Sequence, residues 1–315
     1  MSRLRVGLLI NPAAASGTAH RIGVHVSTLL KVAGISVVDV TGRSARTAQA
    51  RALVVRDDLT ALIVVGGDGT VSLGAEIVAQ TPVRLGIVPA GSGNDLARSL
   101  GLPIGKPDEA VRTLLRALSR PVIHIDAIEM SSLDDSAAPH RSLALGCVNL
   151  GFDALVNARA NSAKSGFGKN YTVAVMQELR HFHEIPYWIE IDGGPRQELD
   201  ASLLTLCNGA FCGGGMQLVP QARLNDGHLD LAMISGLSRP RLLRMFPRVF
   251  RGAHLSVPQF SVRPVRSVTI GVRDGRLLRS YADGEARTVL PLSARVLPGA
   301  VRILADSSAP CLSGV

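Results

Sequence analysis

A short apolar run, a glycine-rich turn and a helical pattern follow one another at residues 61–79, and this succession constrains the fold more than any other feature. The apolar run is Ala-Leu-Ile-Val-Val, the turn is Gly66-Gly67-Asp68-Gly69-Thr70, and the helical pattern begins near Val71. Such a turn points backbone N–H groups at an anion, and the helix N-terminus favours negative charge. A carboxylate beside a phosphate is repelled unless a divalent cation or a proton lies between them. The sequence therefore predicts a phosphate site near Asp68 and indicates magnesium.

The N-terminal part of the chain alternates strand and helix patterns, whereas the rest alternates strands and turns. Strands are predicted at 6–10, 35–40, 61–65 and 85–88, and helices at 19–33, 47–55, 72–79 and 108–118, which is typical of βαβ units. Beyond about residue 124, strand patterns flank polar turns at 131–140 and 192–195, with helices at 154–160, 171–182 and 239–251. We expect an α/β nucleotide-binding domain with a mostly parallel sheet at 1–124, rejoined by residues 298–315, and a mainly antiparallel β domain at 125–297.

Composition limits the classes of partner. The formal net charge of +9, carried by arginine far more than by the four lysines, favours an anionic partner. Aromatic residues make up only 3% of the chain, and no basic stretch interleaves them, so we expect no nucleic acid. No run is long enough to span a bilayer and no signal peptide is evident, so a cytoplasmic location is expected. The cysteines form no zinc-ligand pattern and are predicted to be small buried apolar residues or idle thiols: Cys147, Cys207, Cys212 and Cys311.

Three turns rich in small residues follow predicted strands: residues 11–17, 66–70 and 89–95. Because the carboxyl ends of parallel strands meet at one edge of a sheet, the three turns can converge on one polyphosphate. The Walker A motif needs a lysine after the glycines, which neither the 66–70 turn nor the 89–95 turn supplies. The dinucleotide fingerprint fails because Ser72 and Leu96 stand where its third glycine is required. Neither common nucleotide motif therefore fits.

The order of these motifs resembles the lipid kinases of the diacylglycerol kinase and sphingosine kinase superfamily, and most of all the soluble bacterial diacylglycerol kinases. The segments that carry the resemblance run through nearly the whole chain, in order: 11–17, 66–70, 89–98, 149–154, 208 with 213–215, 220–222, 225–227 and 283–285.

The resemblance implies an ATP- and magnesium-dependent kinase that phosphorylates the free hydroxyl of diacylglycerol to phosphatidate. It implies Glu285 as the general base and Asp68 as a group acting through magnesium or ordered water. Asp283-Gly284-Glu285 could also aim two carboxylates into one cleft, since the glycine between them adds no bulk. The implied ATP-binding residues are Asn11, Pro12, Ala13, Ala14, Ala15, Thr41, Gly66, Gly67, Asp68, Gly69, Thr70, Ser92, Gly93 and Asn94.

Three further sites are predicted. Asp126 lies where the first domain passes into the second and is a candidate third catalytic carboxylate. Arg98 is a candidate contact for phosphate or a lipid headgroup, because its guanidinium suits oxyanions. By resemblance, Arg223, Asp226 and His228 hold a second magnesium, Arg223 and His228 through backbone carbonyls, although Arg223 and Asn225 stand where familiar enzymes have Lys or Asp. Losing a neighbouring acid weakens such a site.

A lipid kinase without a membrane span must take its substrate from a surface. Residues 239–260 interleave arginines with apolar residues, a pattern that suits an anionic membrane, although Pro247 is expected to interrupt the helix. Alternatives remain open: a kinase for a sphingoid base or another lipid alcohol, an NAD kinase, or a non-catalytic lipid-binding module. The sequence also leaves open whether the chain is a monomer or a homodimer.

Overall fold

The structure is a computed structural model that describes residues 4–12, 14–133, 141–162, 175, 177–178 and 182–312. The chain divides into two compact units: Met1–Asp126 with Pro298–Val315, and Ala127–Leu297. Among the described residues, no helix is both long and apolar enough to cross a bilayer.

Parallel strands form the centre of the first unit. Their order is β2 (Ser36–Asp39), β1 (Arg5–Ile10), β3 (Ala61–Gly66) and β4 (Arg84–Pro89). Every residue of β3 is buried, as expected for a central strand covered on both faces. The helices are α1 (Thr18–Val32), α2 (Ala45–Val55), α3 (Asp68–Val78), α4 (Asp95–Ser99) and α5 (Pro107–Leu118), with short 3₁₀ turns at Ala14–Gly17 and Arg56–Asp58.

The second unit is an antiparallel sandwich. One sheet contains, in order, β14 (Phe260–Val265), β13 (Leu229–Ile234), β10 (Leu203–Cys207), β7 (Cys147–Asn149), β16 (Arg279–Ala282) and β17 (Glu285–Val289). The other contains β8 (Ile185–Ile191), β9 (Gln197–Ala201), β15 (Ser267–Val272) and the first part of β18 (Leu292–Ile303). Side chains from both sheets share one core, in which Val148 and Leu206 meet Tyr187 and Ile270. Because side chains alternate along a strand, Cys147 and Cys207 point from the same strands into a second core beneath helices α6 (Phe152–Ser162) and α7 (Arg239–Val249).

The remaining elements, in chain order, are β5 (Ile123–Ser132), β6 (Arg141–Ala144), β11 (Phe211–Cys212) and β12 (Met216–Gln217). The end of β18 pairs in parallel with β4 through Arg302 and Ile303. The predicted fold class, a mostly parallel α/β unit followed by an antiparallel one, is confirmed.

Several predicted boundaries are wrong. Helix α3 begins at Asp68 rather than near residue 72, because the Gly67 carbonyl already accepts the N–H groups of Thr70 and Val71. Helix α4 at Asp95–Ser99 is an element that the sequence patterns do not predict. Helix α7 continues through Pro247 to Val249, since a proline in the last turn removes only one hydrogen bond. Most of the helix predicted at 171–182 lies outside the described residues.

Candidate active site

Two glycine loops of the first unit touch backbone to backbone. A Cβ on Gly91 would lie 2.3 Å from the Gly67 Cα, and a Cβ on Gly66 would lie 2.3 Å from Thr70 Oγ1. Neither position therefore tolerates a side chain without a shift of the backbone or of helix α3. The Ala90 N–H also donates to the Gly66 carbonyl at 2.8 Å. The glycines are required because the loops after β3 and β4 pack directly on each other.

The Asp68 carboxylate joins the two loops. Its Oδ1 accepts the backbone N–H groups of Asp95 at 2.8 Å and Leu96 at 3.4 Å, at the start of α4. Its Oδ2 lies 2.6 Å from the point that a Gly93 Cβ would occupy, and Asp95 Oδ2 lies 3.8 Å from that same point. Two carboxylates therefore flank a position that only glycine keeps open. Sequence reasoning missed Asp95, whose signal was its place in the third glycine loop.

Asn94 fixes the shape of the loop after β4. It adopts a left-handed conformation with φ 55°, which Asn tolerates better than most residues. Its Oδ1 accepts the Gly91 N–H at 2.9 Å and its Nδ2 donates to the Gly91 carbonyl at 2.7 Å. Arg98 Nε donates to the Gly93 carbonyl at 3.1 Å, while Ser92 is exposed. The structure thus gives Asn94 and Arg98 loop-holding bonds, in addition to the ligand contacts predicted for them.

The predicted residues of the first loop lie next to the start of α3. Asn11 Nδ2 donates to Thr70 Oγ1 at 3.3 Å, and the Ala14 N–H donates to the Asn11 carbonyl at 3.1 Å. Thr41 Oγ1 accepts the Ile10 N–H at 3.1 Å at the end of β1. Pro12 is exposed. Ala13 lies outside the described residues, and the side chain of Ala15 is not described.

Asp126 is buried, with 3% of its surface exposed. Its Oδ1 accepts the Gly299 N–H at 2.7 Å, a position where the backbone turns with φ 60°. The carboxylate therefore holds the segment that enters the end of β18. Its catalytic role stays a prediction, alongside this structural one.

The carboxylates of Asp283 and Glu285, at the turn between β16 and β17, have different surroundings. Asp283 and Gly284 have φ 48° and 84°, as a two-residue turn between antiparallel strands requires. Asp283 Oδ2 accepts the Leu145 N–H at 2.9 Å, and Oδ1 accepts those of Gly146 at 2.9 Å and Cys147 at 3.0 Å. Glu285 is exposed at the start of β17. The expectation of two carboxylates aimed into one cleft is wrong for Asp283, because its acceptors face the backbone of residues 145–147.

The predicted second metal site is a tight turn. Asp226 is exposed; its Oδ1 accepts the His228 N–H at 3.0 Å, and its carbonyl lies 2.9 Å from His228 Nδ1. Arg223 is exposed. Burial, and next the charge of Asp226, raises the pKa of Asp230 to about 6. Within the described parts of the chain, no three His, Cys, Asp or Glu side chains cluster closely enough to hold a metal ion.

Asp153 is a buried carboxylate that sequence reasoning did not single out. Its Oδ1 accepts the Gly151 N–H at 2.9 Å and its Oδ2 accepts the Thr205 hydroxyl at 2.6 Å. Burial raises the pKa of Asp153 to about 6, although these hydrogen bonds oppose the shift. Its position in the 149–154 motif was the available signal.

Comparison with known proteins identifies the family of this chain. Residues 5–127 match the model of the diacylglycerol kinase catalytic domain, and residues 146–305 match that of the YegS C-terminal NAD kinase beta sandwich-like domain. A diacylglycerol kinase of Mycobacterium tuberculosis H37Rv is 32% identical over 302 residues, covering 95% of this chain and 94% of the relative. A Xanthomonas axonopodis protein named "Probable lipid kinase YegS-like" is 26% identical over 268 residues, covering 82% and 83%.

Solved structures agree on the fold. A diacylglycerol kinase from Bacillus anthracis superposes with a TM-score of 0.70 at 18% identity, covering 98% of this chain and 99% of the other. Yeast NADH kinase complexed with NADH superposes with a TM-score of 0.58 at 14% identity, covering 98% and 85%. The fold is therefore shared with NADH kinase, whereas both sequence models and the 32% identical relative show that this chain belongs to the family of bacterial diacylglycerol kinases and YegS-like lipid kinases.

Proposed function

We propose that this protein is an ATP-dependent lipid kinase that transfers a phosphoryl group to the free hydroxyl of diacylglycerol, giving phosphatidate. The observation that carries the proposal is the contact between the glycine loops at Gly67 and Gly91, with the Asp68 carboxylate bonded to the start of α4. The names of the relatives support diacylglycerol as the acceptor. A sphingoid base or another lipid alcohol would require the same transfer apparatus.

The residues of the first unit fit the phosphates of ATP. The first N–H groups of an α-helix have no partner within the helix, and α3 begins inside the glycine loop at Asp68. Gly67, Gly91 and Gly93 are partly exposed and carry no side chain that could cover the adjacent N–H groups. We assign to this surface the binding of the ATP phosphates. Asn11, Thr41 and Ser92 are assigned to the same ATP site.

The residues also fit a magnesium ion. Ionised carboxylates have several acceptor positions, and magnesium commonly takes one or two of them together with substrate phosphates. Asp68 and Asp95, whose Oδ2 atoms lie 2.6 Å and 3.8 Å from the point that a Gly93 Cβ would occupy, are the two acids we assign to it. When bound with ATP, magnesium neutralises charge on the phosphate oxygens.

The second unit supplies the proposed base. Glu285 accepts the proton of the lipid hydroxyl. The hydroxyl oxygen attacks the γ-phosphorus of ATP, and the bond between that phosphorus and the ADP oxygen breaks. Asp283 acts as a positioning residue, since its three hydrogen bonds to residues 145–147 fix the turn that carries Glu285. Asp126 is proposed as a third carboxylate of the reaction and Arg98 as a headgroup contact.

The turn at residues 223–228 fits a second magnesium ion poorly, and no step of the proposed reaction passes through it. This turn offers one acidic side chain, and both the carboxylate and the carbonyl of Asp226 already contact His228. The ion predicted there by resemblance would compete with those contacts.

We further propose that the protein works as a peripheral protein on anionic membrane. In α7, one face is buried in the unit's own core: Leu242, Met245, Phe246 and Val249. The outer face carries exposed arginines, with Leu243 and Phe250 41% and 39% exposed. Residues 239–256 contain no Asp or Glu, so an anionic lipid surface meets no repelling carboxylate on this segment.

Vesicle flotation at low salt tests the membrane contact. We expect binding to vesicles containing phosphatidylglycerol, weaker binding after R244Q/R248Q, and wild-type binding for R263Q/R266Q, which removes the same charge at other exposed positions of the unit. Equal binding by both double variants would refute the assignment to α7.

Product identification tests the activity. The protein is incubated with labelled ATP, magnesium and either mixed micelles containing diacylglycerol or NAD. Label in phosphatidate is expected. Label in another lipid phosphate would change the acceptor, label in NADP would favour an NAD kinase, and no label in any product would favour a non-catalytic lipid-binding module.

A further inference from the structure

Three of the four cysteines meet in the second core of the second unit. Cys147 lies on β7, Cys207 lies opposite it on β10, and Cys212 ends β11. All three are buried, with 5%, 0% and 2% of their surface exposed. The sulfur atoms of Cys147 and Cys212 are 2.7 Å apart, closer to the S–S bond length of about 2.05 Å than to an ordinary contact. Their backbones therefore already bring the two sulfurs within reach of a bond.

The backbones of the two cysteines differ in how firmly they are held. The Cys147 backbone is fixed on both sides by Asp283, whose Oδ1 accepts its N–H at 3.0 Å and whose N–H donates to its carbonyl at 3.1 Å. Cys212 instead precedes three glycines, which have φ 64°, 86° and 100°. Glycine backbones adjust readily, so Cys212 makes the larger part of the small approach that a bond requires, and Cys147 the smaller part.

A cavity lies beside one of the two cysteines. The cavity has a volume of about 50 Å³, and Cys212 lines it together with apolar side chains such as Phe152 and Leu218, whereas Cys147 does not. A volume of about 10–15 Å³ on this measure holds one water molecule, so this one accommodates hydrogen peroxide. Hydrogen bonding to Cys212, followed by burial, raises the pKa of Cys147.

We propose that Cys147 and Cys212 are a modification site: a dithiol that peroxides convert to a reversible disulfide. The Cys212 sulfur attacks a peroxide oxygen, the O–O bond breaks, and the products are a sulfenic acid on Cys212 and water or an alcohol. The Cys147 sulfur then attacks the Cys212 sulfur, its proton leaves with the hydroxyl as water, and the S–S bond forms. Two thiols are oxidised and one peroxide is reduced.

Thiol mapping of the full-length protein tests this proposal. The protein is treated with hydrogen peroxide, quenched with catalase, unfolded, alkylated and digested. We expect one crosslinked peptide pair joining Cys147 to Cys212, a loss of two hydrogen atoms in that pair, and recovery of all four alkylated thiols after dithiothreitol. C207A and C311A should keep the crosslink, because neither sulfur belongs to the pair.

Two results would overturn it. One is the recovery of four alkylated thiols from wild-type protein after peroxide, and the other is a crosslink that involves Cys207 or Cys311. Both are read on wild-type protein, so they hold even where C147A or C212A fails to fold. These outcomes do not depend on lipid kinase activity, so they are distinct from a failure of the proposed function.

The crosslink also has a consequence that rests on the proposed function. Because the Cys147 backbone holds the turn that carries Glu285, a bond to its sulfur displaces the proposed base, and small displacements of catalytic groups lower rates strongly. We expect turnover to fall at least ~3-fold on oxidation and to return with dithiothreitol, while C212A, compared with its own untreated activity, does not respond. A crosslinked protein with unchanged turnover would refute this consequence.

Discussion

The two acids of the Asp283-Gly284-Glu285 turn are expected to have different effects when each is converted to its amide. The Asp283 variant should lose stability as well as turnover, and the Glu285 variant should lose turnover alone. In Asp283→Asn, one acceptor oxygen becomes an NH₂ group that faces a backbone N–H, and the remaining bonds lose their charge. A hydrogen bond to a charged group contributes about 1.5–3 kcal/mol, and the three N–H partners belong to the buried residues 145–147. We therefore expect a loss of about 2–4 kcal/mol.

For a domain of 150–250 residues this corresponds to a fall in Tm of roughly 5–15 °C. Glu285→Gln changes an exposed side chain, so its effect on stability should stay within about 0.5 kcal/mol, while removal of a general base lowers kcat by about 10²–10⁴-fold.

Thermal unfolding and steady-state kinetics on the same preparations measure both effects. Asp283→Asn should lower the Tm and the turnover, whereas Glu285→Gln should lower the turnover alone. An unchanged Tm in Asp283→Asn would contradict the positioning role of its three hydrogen bonds. Turnover near the wild-type value in Glu285→Gln would show that the proton leaves by another route.

Three further predictions concern the glycine loops and a buried acid. Gly91→Ala places a methyl group 2.3 Å from the Gly67 Cα and should abolish ATP binding in calorimetry, whereas Ser92→Ala, which trims an exposed hydroxyl of the same loop, should retain it. Asp68→Asn keeps an oxygen for the Asp95 N–H and should fold normally, with turnover reduced at least ~100-fold. Asp68→Ala should also lose about 1 kcal/mol of stability, because the start of α4 loses its cap. Magnesium titration of turnover and thermal melts separate the two variants. Burial raises the pKa of Asp153 from 3.8 to about 6, so between these values the folded state binds a proton that the unfolded state releases, and stability falls as pH rises through this window by up to about 3 kcal/mol. Urea unfolding near pH 4.5 and pH 7.5 measures this part of the pH dependence, which Asp153→Asn should remove. The variant should be more stable than the wild type at pH 7.5, whereas loss of a carboxylate from a stabilising ion pair would make it less stable.

Local patterns predicted the elements that local forces control. The apolar run of β3 and its glycine turn carry the strand–turn–helix order directly, and periodicity gave the type of most elements in the first unit. Patterns did not locate the start of α3, because its first turn consists of Asp68, Gly69 and Thr70, residues that read as loop. Helix α4 is held by a carboxylate 27 residues earlier in the chain, a contact that no local pattern encodes.

By itself, the sequence determined the class of fold and the family, and it predicted the glycine loops as the phosphate site, because apolar periodicity and the order of small-residue turns are properties of neighbouring residues. Only the tertiary structure decided what individual polar groups do. It turned Asp283 toward backbone groups 136–138 residues away and left Glu285 exposed, because pairing of β16 with β7 sets the register of that turn. It also brought Cys147 to Cys212 across 65 residues, although their spacing predicted two separate buried thiols. Contacts between distant segments depend on strand pairing and packing, which residue order alone does not specify.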